Sequence, residues 1–219
     1  MIDNSLQRDT QVPHFTNGSK KIKDMIFQLR FPSPEQLDAL KLAQQNEPLT
    51  YPKNAQVLNA YDYDDNRVLL GEGDATFAAA KQAIRRWAMA DGSWIRLYSD
   101  KTPIETGQIV VMCAHLFGFW WLNAARIVYT VDQPRAFGFA YGTLTHHVES
   151  GEELFQVEMD DEGKVWYRLR AFSRPRYWMV RLTYPLARIF QRRFIRDSFK
   201  NMKKVTDELR ATEPFAHAH

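Results

Sequence analysis

A cluster of histidine and glutamate residues stands out between positions 146 and 153. Its members are His146, His147, Glu149, Glu152 and Glu153. Imidazole and carboxylate groups together can form an acid–base pair, anchor the polar end of a ligand, or bind zinc or iron. The same composition is also typical of a solvated loop with its acids at the surface. Adjacent histidines in a strand point to opposite faces, and the spacing matches no known metal motif, so we predict no metal site.

Glu153 is the carboxylate that we expect to point inward. It shares a strand face with Phe155, Val157 and Met159, because side chains alternate between the two faces of a strand. His147 paired with Glu149 or Glu153 would be the titrating pair if the protein is an enzyme.

The segment 136–143 predicts a strand with one aromatic and one nearly bare face. Phe137, Phe139, Tyr141 and Thr143 alternate with glycine and alanine. Bare strand faces allow another backbone, a helix or a ligand to approach closely. Tyr141 and Thr143 bring hydroxyl groups onto the aromatic face, so we predict that they anchor a ligand.

Arg168 and Arg170 lie on the strand that follows, and two orientations are open for them. An inward Arg170 could pair with Glu153 or hold an anionic head group. The rival apolar face of this strand carries Tyr167 and Leu169, and if that face is buried the arginines meet solvent. We include Arg170 among the candidate ligand-binding residues.

The chain of 219 residues has a net charge of +3, which is too small to indicate a nucleic-acid partner. Its one cysteine, Cys113, excludes an internal disulfide and indicates a reducing compartment. The polar N-terminus has no apolar signal-peptide core, and the most apolar run is interrupted by polar residues. These features predict a cytoplasmic protein, and no motif indicates a cofactor.

The first half of the chain predicts helices. Ser33, Pro34 and Gln36 form a helix start with a capping box, and Leu37 and Leu40 supply an apolar stripe. A second helix is expected after an N-cap at Asp74, with Phe77, Ala80, Ile84 and Trp87 at helical spacing.

The second half predicts consecutive antiparallel strands and a last helix. A strand over 109–117 precedes a turn over 118–123, and a hairpin turns at residues 160–163. The segment 174–210 predicts a long helix, or two helices meeting near Pro185, on a curved surface. The fold class is therefore α+β: a curved antiparallel sheet packed on a long C-terminal helix. We expect a flexible arm (1–20), a single domain (21–210) and a flexible tail (211–219).

Residues 51–205 contain segments that resemble the DUF1990 family of bacterial and plant proteins. The matching segments are GEGDATFAAAKQAIRRW, GFWWLNAARIVYTVD, GFAYGTLTHHVESGEELFQV and AFSRPRYWMVRLTYPLARIFQRR. Where the family has Pro-Gly-His-Pro-Glu, this chain keeps His147 and Glu149 without the prolines. The resemblance carries no established activity, and it implies a fold similar to the helix-grip proteins, which bind apolar molecules and lipids.

Three functions remain open at this point. The first is binding of a small apolar or lipid-like ligand between sheet and helix, with Tyr141, Thr143, Glu153 and Arg170 as polar anchors. The second is acid–base catalysis in the same pocket. The third is contact with a membrane surface or a partner through the basic last helix, although a solvated outer face explains its charges equally well. No feature predicts the oligomeric state.

Overall fold

The computed structural model describes residues 27–52, 59–98, 104–176 and 184–212. Within these residues there are three α-helices: α1 (Pro34–Gln44), α2 (Gly73–Arg85) and α3 (Tyr184–Thr212). A short 3₁₀ helix spans Ala88–Ala90. The eight strands are β1 (Phe27–Gln28), β2 (Asp62–Glu72), β3 (Ile95–Tyr98), β4 (Ile109–Leu116), β5 (Phe119–Gln133), β6 (Ala136–Thr143), β7 (Glu149–Met159) and β8 (Lys164–Pro175).

All eight strands form one antiparallel sheet with the order β2-β8-β7-β6-β5-β4-β3. Strand β1 pairs with the first residues of β5, beyond the point where β6 ends. The register shifts between Ile127 and Tyr129 of β5 and between Leu69 and Gly71 of β2. Such bulges bend a strand and increase its twist, which curves the sheet around the helices.

The main core lies between the concave face of the sheet and helices α2 and α3. Phe139, Phe155 and Tyr167 from three neighbouring strands are almost fully buried there. Phe194 of α3 packs edge-on against Phe155, and the Tyr167 hydroxyl lies 2.9 Å from the Ser198 hydroxyl. The predicted α+β class, a curved antiparallel sheet on a long C-terminal helix, is confirmed.

Helix α1 covers part of the opposite, convex face. Its capping box is as predicted, since the backbone N–H of Gln36 donates to Ser33 and the Gln36 side chain accepts from the Ser33 N–H. Leu37 and Leu40 pack on Cys113, which is fully buried. Burial raises the pKa of the Cys113 thiol to about 12, so it remains protonated and unreactive at neutral pH.

Three predicted element boundaries are wrong. The last helix was predicted from residue 174, but Arg174 and Pro175 are the last residues of β8. Helix α2 begins at Gly73 directly after β2, so Asp74 lies in its first turn, where a negative charge suits the helix dipole, and not at the N-cap. The turn predicted over 118–123 consists of only Phe117 and Gly118, both with positive φ, because β5 already begins at Phe119.

The last helix is one continuous element from residue 184 to residue 212, with Pro185 in its first turn. Its inner face packs on the core, and the charged residues of its outer face are exposed. These are Arg192, Arg196, Lys200, Lys203 and Lys204. No helix in the described part of the chain is long and apolar enough to cross a membrane. The predicted arm lies outside the described residues, as does the tail beyond residue 212.

Candidate functional site

A cavity of about 280 Å³ lies between the concave face of the sheet and the N-terminal half of α3. Most of its wall is apolar. The large apolar side chains at this wall include Trp94, Met112, Leu116, Phe117, Trp121, Leu186, Phe190 and Phe194. The polar side chains come mainly from the consecutive strands β2, β8, β7 and β6 of the sheet and from the loop that connects β6 to β7.

The size of the side chains along the strands explains why a cavity forms here. One row across β8, β7 and β6 fills the core with large side chains: Leu169, Phe155 and Phe139. The next row on the same face consists of Ala171, Glu153 and Tyr141. In the row after that, Ser173 pairs with Gly151. The small residues of the last two rows, Ala171, Ser173 and Gly151, leave a gap between the sheet and the N-terminal half of α3.

Glu153 and Tyr141 form a directly opposed pair on this face. The Tyr141 hydroxyl donates a hydrogen bond of 2.5 Å to Glu153 Oε2. The pKa of Glu153 is raised to about 7, chiefly because burial removes water from its carboxylate. The hydrogen bond from Tyr141 opposes this rise, and the negative charges of Glu149 and Asp64 add to it. The inward orientation predicted for Glu153 is the one observed.

Two residues of α3 connect the helix to this polar wall. Arg188 donates two hydrogen bonds to Asp64 of β2, at 2.5 and 2.9 Å. Gln191, one helical turn further, donates to Glu149 Oε1 at 2.7 Å. The pKa of Glu149 is raised, mainly by burial. The carboxylates of β2 and β7 are therefore linked to the helix that covers the cavity.

His147 lines the same cavity from the loop between β6 and β7. Its Nδ1 accepts a hydrogen bond of 3.1 Å from the backbone N–H of Glu149, which assigns the ring proton to Nε2. Burial lowers the pKa of His147 to about 4, and the nearby positive charge of Arg176 contributes. The imidazole is therefore neutral at pH 7, and no described residue accepts a hydrogen bond from its Nε2.

Thr143 lines the cavity, but its hydroxyl group is fully used by its neighbours. It donates to the Gly151 carbonyl at 3.1 Å and accepts from the Gly151 N–H at 2.9 Å. The Thr50 hydroxyl lies 2.5 Å away and occupies the remaining acceptor position. Thr143 therefore connects β6 to β7 and to the segment that contains Thr50. Its hydroxyl group has no hydrogen-bonding capacity left for a ligand.

Arg170 lies on the other face of the sheet, away from Tyr141 and Glu153. It pairs across β7 and β8 with Leu154 and is next to Glu152 and Tyr129 in a separate surface depression. Arg168 also faces outward and binds Asp65. The apolar face of β8 that carries Tyr167 and Leu169 is the buried one, as the second of the two predicted orientations requires.

The histidine–glutamate cluster divides between the two sides of the sheet. His147, Glu149 and Glu153 are brought together at the cavity. The Glu152 side chain instead accepts a hydrogen bond of 2.7 Å from Tyr51, whose ring covers Gly142. The backbone N–H of His146 donates to Gln44 of α1. The segment around Tyr51 therefore packs on the glycine- and alanine-rich face of β6, which was predicted to allow such a close approach.

Asp64 and Gln191 line the cavity, and Arg188 binds Asp64. All three were missed by the sequence reasoning. The inward orientation of Asp64 could have been predicted from the alternation of side chains on β2, because Asp64 lies on the same strand face as Val68, which packs on the core. No comparable signal exists for the two helix residues. Among the residues that the structure describes, no three His, Cys, Asp or Glu side chains are grouped so that they could hold a metal ion.

Phe117 lies at the rim of the cavity in an unusual backbone conformation. Its φ of 55° places it in the left-handed region, which favours glycine, and its side chain is 65% exposed. The ring packs edge-on against Phe190 of α3, with 5.6 Å between centroids. The β4–β5 turn therefore contacts the helix at the rim.

A curved antiparallel sheet closed by a long C-terminal helix, with a cavity between them, defines the protein as an α+β protein of the helix-grip class. Within this class, the chain belongs to the DUF1990 family, whose model, described as a domain of unknown function, matches residues 48–201. The predicted resemblance over residues 51–205 is thus confirmed.

Relatives occur in distant organisms. A UPF0548 protein of Dictyostelium discoideum is 38% identical over 157 residues, which cover 66% of this chain and 73% of the relative. A UPF0548 protein of Deinococcus radiodurans is 34% identical over 183 residues, which cover 77% and 92%. Among solved structures, a hypothetical protein of Helicobacter pylori has a TM-score of 0.49 at 14% identity and covers 73% of this chain and 96% of its own. Human STARD10 has a TM-score of 0.44 at 9% identity and covers 84% of each chain.

Proposed function

We propose that this protein binds a small, largely apolar molecule in the cavity between the sheet and α3. The observation that carries the proposal is the cavity itself, which is lined mainly by apolar side chains and has a few polar groups along one wall. Ligand sites commonly combine an apolar wall with a few polar groups that orient the ligand. The single cysteine, Cys113, supports a cytoplasmic location.

The polar groups that would orient the ligand are Glu153, Tyr141 and His147. All three line the cavity, and each has at least one polar atom that can form a hydrogen bond with a ligand. Thr143 would contribute only apolar contact, because its hydroxyl is already bonded to Thr50 and to Gly151. Arg170 is not included in the proposed site, because it faces the opposite side of the sheet.

Native mass spectrometry of the freshly purified protein tests the proposal. We expect a bound apolar compound, identified after denaturing extraction, or binding of the neutral fluorescent probe N-phenyl-1-naphthylamine to a ligand-free protein. Ala114→Phe should abolish binding, because Ala114 lies at the cavity wall. The matched control is Ala78→Phe at an exposed position of α2, which should bind as the wild type does. Binding that is unchanged by Ala114→Phe would contradict the proposal.

A second candidate function is acid–base chemistry on the same ligand. The observation that favours it is the presence in one cavity of a neutral imidazole, His147, and a carboxyl group, Glu153, whose pKa of about 7 suits proton transfer at neutral pH. Incubation of the extracted ligand with protein in heavy water would show deuterium at a carbon atom, and Glu153→Gln should abolish this incorporation. A ligand recovered without carbon-bound deuterium would count against catalysis by proton transfer.

A further inference from the structure

The charged side chains at the cavity wall are all acidic among the residues that the structure describes. They are Asp64, Glu149 and Glu153. No described lysine or arginine lines the cavity. A carboxylate ligand would therefore bring its negative charge next to other negative charges in a partly desolvated site, which is unfavourable.

The two nearby arginines are already bound to other groups. Arg188 makes two hydrogen bonds to Asp64 and one to Gln191, so it compensates one of the acidic side chains. Arg176 donates to the Thr145 carbonyl at 2.6 Å. Neither arginine is part of the cavity wall. The charge of Arg188 also opposes the rise that burial causes in the pKa of Glu149, but no described cation forms an ion pair with Glu149 or Glu153.

The hydrogen-bonding capacity of the wall favours a ligand that donates. Glu153 accepts only the hydrogen bond from Tyr141 within the described residues, which leaves Oε1 as an acceptor. The single hydroxyl proton of Tyr141 is used in that bond. The remaining donors are neutral: Nε2–H of His147 and the side-chain amide of Asn123, whose Oδ1 accepts from Val148. A hydroxyl group can both donate to Glu153 and accept from these donors, and an amine can donate to Glu153.

We infer that the cavity selects an apolar molecule whose polar end is an alcohol or an amine, and that it rejects the corresponding carboxylate. This inference rests on the proposed function, because it names the chemical class of the ligand for the same site. The titratable and charged groups around the polar end are Asp64, Tyr141, His147, Glu149, Glu153, Arg176 and Arg188. Their net charge is negative when Asp64, Glu149 and Glu153 are all ionised, because only Arg176 and Arg188 are positive.

The test is displacement of N-phenyl-1-naphthylamine at pH 8 by three molecules with the same ten-carbon chain: decan-1-ol, decylamine and decanoate. Glu153 is mostly ionised at this pH, because its pKa is about 7. We expect the alcohol and the amine to bind at least about tenfold more tightly than decanoate, since decanoate would leave Glu153 without a donor and add charge repulsion. Glu153→Gln should reduce the difference between amine and carboxylate, and Glu162→Gln at the exposed β7–β8 turn should leave it unchanged.

The outcomes separate this inference from the proposed function. Binding of decanoate as tight as, or tighter than, that of decan-1-ol would overturn the inference while leaving the cavity a ligand site. If the fluorescent probe and all three molecules fail to bind, the proposed function fails, and the inference fails with it. An unchanged ratio of amine to carboxylate affinity in Glu153→Gln would also overturn the assignment of the polar end to Glu153.

Discussion

Glu153 and His147 face one cavity with opposite shifts in pKa. The pKa of Glu153 is raised from 4.5 to about 7, so the folded protein holds its proton more tightly than the unfolded chain does. The pKa of His147 is lowered from 6.5 to about 4, so the folded protein holds that proton less tightly. Stability therefore falls as the pH rises from about 4.5 to about 7 through Glu153, and rises from about pH 4 to about 6.5 through His147.

The two contributions nearly cancel in the wild type, and single substitutions should reveal them. Each shift of about 2.5 pKa units corresponds to roughly 3 kcal/mol. Relative to the wild type, Glu153→Gln should gain about this free energy of unfolding as the pH rises from 4.5 to 7. His147→Asn keeps an acceptor for the Glu149 N–H. Relative to the wild type, its free energy of unfolding should increase by a similar amount as the pH falls from 6.5 to 4. Urea denaturation at pH values from 4 to 8 measures both differences.

Glu162→Gln provides the control, because Glu162 is an exposed residue of the β7–β8 turn that pairs with Lys164. The difference in free energy of unfolding between Glu162→Gln and the wild type should change little over the same pH range. A difference curve for Glu153→Gln that does not rise with pH would show that the folded protein does not raise the pKa of this carboxyl group.

Strand alternation explains which of these residues could be predicted from the sequence. Glu153 follows the alternation of Phe155 and Val157, which are both deeply buried, so its orientation was predictable. Arg170 was not, since both faces of β8 carry large apolar side chains and only the pairing with β7 decides which face is buried. The contribution of Arg188 depends on how α3 lies across β2, which no local pattern encodes.

At the level of secondary structure, Thr143 joins three segments of the chain. Thr143 itself belongs to β6. Its hydroxyl group forms hydrogen bonds with the backbone of Gly151 in β7 and with the hydroxyl group of Thr50. Burial of this group is nearly complete, with 4% of the residue exposed. Removing the hydroxyl would leave the Gly151 N–H buried without an acceptor, which costs more than the hydrogen bond itself contributes.

Thr143→Val should therefore reduce the free energy of unfolding by about 1–3 kcal/mol and leave the affinity for N-phenyl-1-naphthylamine unchanged. The matched control is Thr206→Val in α3. Thr206 is fully buried, and its hydroxyl has no hydrogen-bond partner in the described part of the structure, so the same change should be neutral or stabilising. Urea denaturation and probe titration measure the two effects. Weaker probe binding without loss of stability would identify Thr143 as a ligand anchor instead.

The element boundaries show where local sequence signals suffice. The capping box of Ser33 and Gln36 predicted the start of α1 because both hydrogen bonds are local. The β4–β5 turn was predicted too long, because residues 119–123 were assigned to the turn and are in fact paired strand residues. Phe117 at a left-handed position could not be predicted, since that conformation is rare for a large side chain and here accompanies its contact with Phe190.

Across the structure as a whole, α3 has two halves with different environments. In the C-terminal half, Ser198, Met202 and Thr206 are fully buried against the core and α2. In the N-terminal half, Leu186, Phe190 and Phe194 line the cavity and are only partly buried. The sequence of residues 174–210 predicted a long helix, or two helices, on a curved surface, and it did not reveal that half of this helix covers a cavity.

Local opening of the N-terminal half of α3 should therefore be easier than opening of the C-terminal half, because fewer buried contacts oppose it. Hydrogen exchange measured by mass spectrometry should show faster amide exchange over residues 186–195 than over residues 198–209 in the ligand-free protein. Decan-1-ol at about 100 times its dissociation constant should slow exchange of the first segment by up to about 100-fold, because a helix that opens releases the ligand. Ala114→Phe, which fills the cavity, should remove this effect of decan-1-ol. Equal exchange rates along α3 would contradict the difference between its two halves. If decan-1-ol slowed exchange only in residues 198–209, the ligand would bind outside the cavity.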